Sequence, residues 1–111
     1  MFQQLTQTEH ILRLELPQTR RTDATRRLQG EGVSLTGADA WHSAGYTGQS
    51  IRVGVLDLGF DGYQGLLGSA LPANVTAASF AYGVEPDQTG VDHGTACAEI
   101  IHQMAPDAAL F

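Results

Sequence analysis

The sequence has no lysine, and its basic residues are unevenly placed along its 111 residues. Residues 1–27 contain five arginines and three acidic residues, whereas residues 28–111 contain one arginine and nine acidic residues. The net charges of these two parts are therefore +2 and −8, which sum to −6. The acidic character of residues 28–111 argues against nucleic acid as the main partner, because proteins that bind nucleic acid neutralise phosphates with clustered basic residues.

Cysteine is nearly absent as well. Cys97 is the only one, which excludes an internal disulfide and a zinc site built from several cysteines. No apolar run approaches the roughly 18 residues of a membrane-spanning helix, so no membrane span is expected. The first ten residues lack the basic segment and apolar core of a signal peptide.

The N-terminal part is interpreted as separate from the main domain. Apolar residues alternate over residues 11–16 and stop at Pro17, which predicts one strand. Residues 18–36 are polar and without a clear period, so we expect a solvated linker rather than an RNA-binding arm, despite two arginine pairs. Residues 1–35 are thus a linker or the end of a pro-segment or preceding domain.

The run from Ile51 to Asp57 organises the rest of the chain. It is short and apolar, and it ends in a carboxylate followed by Gly59. Such a run predicts a strand that is buried on both faces of a parallel sheet. Functional crevices in such sheets lie at the carboxyl ends of the strands, which is where Asp57 falls. A second, shorter strand is predicted at residues 74–82.

Two helices are predicted. A short one surrounds Trp41 and ends at Gly45, where glycine commonly terminates a helix. A longer one begins at His93 and stops before Pro106, with one apolar stripe that comprises Cys97, Ile100, Ile101 and Met104. The last four residues, 108–111, resemble the beginning of a further strand.

Asp57 and His93 form the candidate catalytic pair. In a wound α/β sheet, a strand ends and the following helix begins at the same edge, so the two side chains are expected to meet there. A carboxylate that faces an imidazole fixes its tautomer and stabilises the imidazolium, as a general base acting on a hydroxyl nucleophile requires.

Four segments between residues 36 and 111 resemble the subtilisin-like serine peptidases (the subtilase family). Val53–Gly59 is similar to the aspartate motif of that family, and Asp92–Thr95 is similar to its histidine motif. Ala105–Ala108 resembles the segment after the histidine helix, and Gly37–Gly48 resembles the entry helix and turn. Subtilisin carries its triad in the chain order Asp, His, Ser, and two of the three are present here in that order.

The resemblance implies an α/β fold, with residues 36–111 as the N-terminal part of a catalytic domain. This part would hold the start of a parallel, doubly wound, subtilisin-like sheet flanked by helices, truncated after the histidine helix. It implies that Asp57 orients His93, and that His93 takes the proton from a serine. It also implies a polypeptide substrate and, for a full-length parent, an extracellular or cell-envelope location.

The nucleophilic serine cannot be assigned, because every serine precedes His93, against the family order: Ser34, Ser43, Ser50, Ser69 and Ser79. We therefore expect a fragment that is inactive alone and whose partner is the missing C-terminal part of its own catalytic domain. No cofactor is identifiable; calcium fits the family, but no calcium or other metal site is assignable. Leu58 and Cys97 depart from the family pattern, and Cys97 is interpreted as a buried structural thiol.

Three alternatives stay open at this point. A dinucleotide-binding glycine motif would need glycine where Asp57 stands, and a carboxylate there would repel pyrophosphate. A metal-dependent hydrolase would gather Asp57, Asp61, Asp92 and His93 as ligands. The third alternative is a truncated or degenerate homologue without catalysis. A serine motif downstream of Phe111 would favour the peptidase over this last alternative.

Overall fold

The computed structural model describes residues 31–111, so the strand predicted at residues 11–16 and the arginine pairs lie outside the described residues. The elements of the described part are helix α1 (Glu31–Thr36), helix α2 (Ala38–Ser43), strand β1 (Arg52–Val53), a 3₁₀ helix (Tyr63–Leu66), helix α3 (His93–Met104) and strand β2 (Ala109–Leu110). None of the helices among these residues is long and apolar enough to cross a membrane.

Strands β1 and β2 are parallel neighbours, as the α/β prediction requires. Arg52 pairs with Ala109 and Val53 with Leu110. The pairing continues past the strand, because the Val55 amide donates to the Phe111 carbonyl at 2.7 Å. Parallel strands need a crossover connection, and α3 supplies it here. The described chain is thus a small mixed α/β unit with a two-stranded parallel sheet.

The core lies where α3 packs on this sheet. Leu71, Ala98 and Leu110 form its centre, and Leu71 is only 2 % exposed. Partly buried apolar side chains surround them: Val53, Tyr63, Leu66, Val75 and Ile101. Burial of a leucine side chain stabilises the fold by roughly 1.5–3 kcal/mol. This cluster therefore holds α3 against β1 and β2.

The prediction that the β1 segment is buried on both faces is wrong for the described chain. Leu56 is 86 % exposed and Leu58 67 %, whereas Val53 and Val55 on the alternate positions are partly buried. Successive side chains of an extended segment point to opposite faces. Only one face is covered by elements within residues 31–111, so the other face leaves its leucines in solvent.

The strand predicted at residues 74–82 is also absent from the described structure. This segment makes one backbone bond to β2, from the Thr76 amide to the Leu110 carbonyl at 3.2 Å. Phe80 and Tyr82, which would favour a strand, are fully or almost fully exposed. Three of its nine residues are alanine, so the segment offers little apolar area to stabilise a strand against the sheet.

The N-terminal helices differ from prediction in one place. The linker predicted over residues 18–36 is wrong for Glu31–Thr36, which form α1. The sequence of α1 has no clear helical period, so contact with α3 stabilises it. In this contact the Thr36 hydroxyl lies 3.8 Å from the Met104 sulfur. Helix α2 is confirmed around Trp41, and Gly45 follows it with a φ of 90°, as a terminating glycine requires.

Helix α3 has the predicted bounds, and its buried face is shifted from the predicted stripe, of which Cys97, Ile101 and Met104 are partly buried. Its buried residues are Gly94, Thr95 and Ala98, whereas Ile100 of the predicted stripe is 60 % exposed. Small residues allow the first turns of the helix to approach the chain after β1 closely. Close packing of backbone thus decides which face is buried, and apolar spacing alone does not show it.

Candidate active site

The structure brings Asp57 and His93 into direct contact. Asp57 lies four residues after β1, which ends at Val53, and His93 is the first residue of α3. The His93 Nδ1 is 2.8 Å from the Asp57 Oδ2. Parallel strands with a helical crossover bring these two termini to one edge, so the juxtaposition expected from chain order is present.

The surroundings of Asp57 orient the carboxylate. Its second oxygen, Oδ1, accepts a bond from the Leu58 amide at 2.7 Å. The Asp57 side chain is 15 % exposed and that of His93 is 39 % exposed. Among residues 31–111, the Nε2 of His93 has no oxygen or nitrogen partner, so it faces outward from the pair. An imidazole held at Nδ1 and open at Nε2 can accept a proton from a donor in solvent or on a neighbouring chain.

Two glycines allow the close approach. The Gly94 amide donates to the Gly59 carbonyl at 3.0 Å, which ties the start of α3 to the turn after Asp57. A Cβ on Gly94 would lie 2.6 Å from the Gly59 oxygen and 2.8 Å from the Asp57 Cβ. A Cβ on Gly59 would lie 2.6 Å from the Val91 carbonyl and would also clash with the Thr89 hydroxyl. Both positions therefore need glycine for steric reasons.

Asp61 bonds to the loop at residues 89–90 and not to Asp57 or His93. Its carboxylate accepts bonds from the Thr89 amide at 2.9 Å, the Thr89 hydroxyl at 3.0 Å and the Gly90 amide at 2.8 Å. These bonds, the one from the Thr89 amide first, hold the pKa of Asp61 below its ordinary value against the opposing effect of desolvation. The Thr95 hydroxyl donates to the Asp61 carbonyl at 3.0 Å. Asp61 thus braces residues 89–90 and α3 around the pair.

The ligand set of the metal-dependent hydrolase alternative is not assembled. Of its four residues, only Asp57 and His93 belong to a group of potential ligands within the described part of the chain. Asp61 is engaged by the loop, and Asp92 is exposed. The third member of the group is Cys97, which that alternative did not include.

Cys97 lies one turn after His93, in contact with its ring. The Cys97 sulfur is 3.8 Å from Nδ1 and 3.9 Å from Nε2. Desolvation and, second, the nearby Asp57 carboxylate raise the pKa of the Cys97 thiol above its ordinary value. A raised pKa disfavours the thiolate, which is the reactive form, so Cys97 is poorly suited as a nucleophile.

Most serine hydroxyls of the described chain donate to nearby backbone carbonyls. Four of the five donate to a carbonyl no more than four residues away, and these are Ser34, Ser43, Ser69 and Ser79. The hydrogen-bond partners of the His93 ring among residues 31–111 are Asp57 and Cys97. No described serine is therefore placed as the hydroxyl that His93 would activate.

An apolar groove of about 650 Å³ is lined by the segment after β1 (residues 54–60), by residues 75–81 and by the core residues Leu71, Ala98 and Leu110. Leu58, Phe60, Phe80 and Phe111 contribute to its lining. Neither this groove nor the bracing by Thr89 and Thr95 was predicted from sequence. The glycines at positions 59 and 94 were the available signal, because a glycine beside each candidate residue is typical of close backbone approach.

Comparison with known proteins adds no assignment: the chain matches no protein-family model, no curated protein and no solved structure.

Proposed function

We propose that this chain supplies the aspartate and the histidine of a serine endopeptidase of subtilisin type. In this proposal Asp57 orients the imidazole and His93 is the general base. The serine nucleophile comes from polypeptide outside residues 1–111, because all five serines precede His93. The α/β unit of residues 31–111 is then the start of a larger, doubly wound sheet.

The observation that carries the proposal is the contact between the Asp57 Oδ2 and the His93 Nδ1 at 2.8 Å. The two side chains of a surface ion pair need no fixed orientation. Here the Leu58 amide donates to the second Asp57 oxygen, which fixes the orientation of the carboxylate. The imidazole is therefore presented with its Nε2 outward. This is the arrangement that transfers a proton from a hydroxyl and later returns it to a leaving amine.

Exposed apolar side chains outside the strands support the second half of the proposal, that further polypeptide completes the catalytic domain. Leu56, Leu58 and Phe80 are 67–90 % exposed, and all three line the apolar groove. Large contiguous apolar surface of this kind marks a site of protein contact. We assign it to the remaining part of the catalytic domain, which would bring the serine to the Nε2 side of His93.

In the proposed reaction, His93 removes the proton of the serine hydroxyl as the oxygen attacks the peptide carbonyl. Asp57 stabilises the imidazolium that results and stays ionised. His93 then donates that proton to the leaving amine, and the ester is hydrolysed by water with His93 again as base. Residues 1–111 alone supply the orienting group and the base, so we expect no acyl-enzyme from them.

The experiment is a comparison of variants of the full-length polypeptide that carries these residues. His93→Ala and Asp57→Asn should each lower kcat/KM for an amide substrate by about 10⁴-fold or more, because triad residues act as a unit. Asp39→Asn, a change of an exposed acidic residue in α2, is the matched control and should leave the rate unchanged. Rates within a few fold of wild type in both site variants would end the proposal.

A non-catalytic homologue is the second candidate, favoured by the local backbone bonds of the described serines. An assay of amide hydrolysis distinguishes this candidate from the peptidase. The full-length protein would then show no amide hydrolysis with His93 intact, while its Asp57–His93 contact and its folded structure remained.

A further inference from the structure

Three potential metal ligands converge at the start of α3. The carboxylate of Asp57, the imidazole of His93 and the thiol of Cys97 offer ligand atoms that all lie within 4.8 Å of one another. The group holds one oxygen, one nitrogen and one sulfur donor, and all three residues are partly buried. We propose that these three side chains bind a zinc ion, or another soft divalent cation such as cadmium.

The helix positions two of the ligands. His93 and Cys97 are four residues apart on α3, so their side chains share one face. The hydrogen bond from the Gly94 amide to the Gly59 carbonyl holds the turn after β1 against the start of α3, which brings the Asp57 carboxylate beside these two side chains. Two different elements thus supply the donors, and neither must unfold to bring them together.

The spacing fits a tetrahedral ion after small side-chain movements. Zinc binds nitrogen or oxygen at about 2.0–2.2 Å and sulfur at about 2.3 Å, which separates neighbouring ligand atoms by roughly 3.3–3.6 Å. The observed separations are 2.8 Å between Oδ2 and Nδ1 and 3.8 Å between Nδ1 and the Cys97 sulfur. The first must widen and the second must shorten by about half an ångström or less, and the Asp57 carboxylate and the Cys97 sulfur, which lie within 4.8 Å of each other, must approach by up to about 1.3 Å.

The donor set selects the kind of metal. Imidazole and thiolate suit zinc and its softer relatives, whereas calcium and magnesium take oxygen ligands almost exclusively. The His93 side chain is 39 % exposed, which leaves room for water as the fourth ligand. Binding releases the thiol proton of Cys97 to solvent and requires the His93 proton to reside on Nε2.

This site rests on geometry and not on the peptidase proposal, but it has a consequence for it. A cation on the Nδ1 of His93 replaces the contact with Asp57 that holds the imidazole in its working tautomer. A metal-loaded chain therefore has no free general base. If the full-length protein hydrolyses amides, zinc should inhibit it, and Cys97→Ser should relieve that inhibition.

The test is a titration of the untagged 111-residue protein with cadmium chloride, followed by ultraviolet absorption of the cadmium–thiolate bond. Cys97 is the only cysteine, so a band with 1:1 saturation places the ion at this residue. Zinc chloride should displace the band. His93→Ala and Asp57→Asn should each weaken cadmium binding by about tenfold or more, whereas His102→Gln on the same helix, the matched control, should leave it unchanged.

Circular dichroism of each variant verifies that it is folded. The cadmium–thiolate band of the wild-type protein tests the proposal without relying on any variant. Absence of the band at millimolar cadmium would overturn the proposal. So would a band of unchanged affinity in folded His93→Ala and Asp57→Asn, because cadmium would then be bound by the thiol without the other two side chains. These outcomes are independent of any peptidase activity.

Discussion

Replacement of Gly94 by alanine tests how α3 is seated beside Asp57. The added methyl would lie 2.6 Å from the Gly59 carbonyl oxygen, 2.6 Å from a ring carbon of Phe60 and 2.8 Å from the Asp57 Cβ. Two of these three neighbours belong to the turn that holds Asp57, and they cannot rotate away. The start of α3 must therefore move outward.

The expected cost follows from these contacts. Insertion of a methyl group into a closely packed site costs about 1–3 kcal/mol. The better helix propensity of alanine offsets this by up to roughly 1 kcal/mol. We therefore expect Gly94→Ala to lower the free energy of unfolding by about 1–2 kcal/mol. The displacement should also lengthen the contact between Asp57 and His93.

Urea denaturation followed by circular dichroism measures the first effect, with Gly65→Ala as the matched control. Gly65 lies in the 3₁₀ helix, has an ordinary φ, and a Cβ there would meet nothing within 4 Å. Its replacement should change the free energy of unfolding by no more than about 0.5 kcal/mol. Equal stability of the two variants would refute the close packing of α3 on the turn after β1.

The remaining predictions concern the core, the uncovered face and acid stability. Leu71→Ala should cost about 2–5 kcal/mol because its side chain is 2 % exposed. Leu56→Ala should cost less than about 0.5 kcal/mol in residues 1–111, yet roughly 2 kcal/mol or more in a full-length protein that covers it; equal costs in both would contradict the proposed covering. The lowered pKa of Asp61 means that its carboxylate stabilises the fold above the ordinary value of 3.8 and loses this effect as the pH falls through its folded pKa, below 3.8. Urea midpoints measured down to that range should therefore fall more steeply in wild type than in Asp61→Asn, and parallel curves would refute this role.

The meeting of Asp57 and His93 could be predicted because chain order and architecture suffice for it. A carboxylate that ends a strand and a histidine that begins the following helix lie at one sheet edge whatever the intervening loop does. The ends of α3 were predictable for a similar reason, since they depend on local signals such as Pro106.

Other features depend on contacts between distant segments and could not be predicted. The Asp61 carboxylate is satisfied by Thr89 and Gly90, which are 28 and 29 residues away in a loop without a periodic pattern. Helix α1 forms against α3 rather than from its own sequence period. The exposure of Leu56 depends on what covers that face, whereas an apolar pattern indicates only that the residue can be buried.

Labelling with a serine-directed fluorophosphonate tests the proposed function most directly, since the reagent requires an activated hydroxyl. The full-length polypeptide should take up one phosphonate per chain, on a serine that peptide mapping places after Phe111, and His93→Ala should abolish the labelling. An unlabelled protein, a label on any serine before His93, or full labelling of the folded His93→Ala variant would contradict the assignment of His93 as the base.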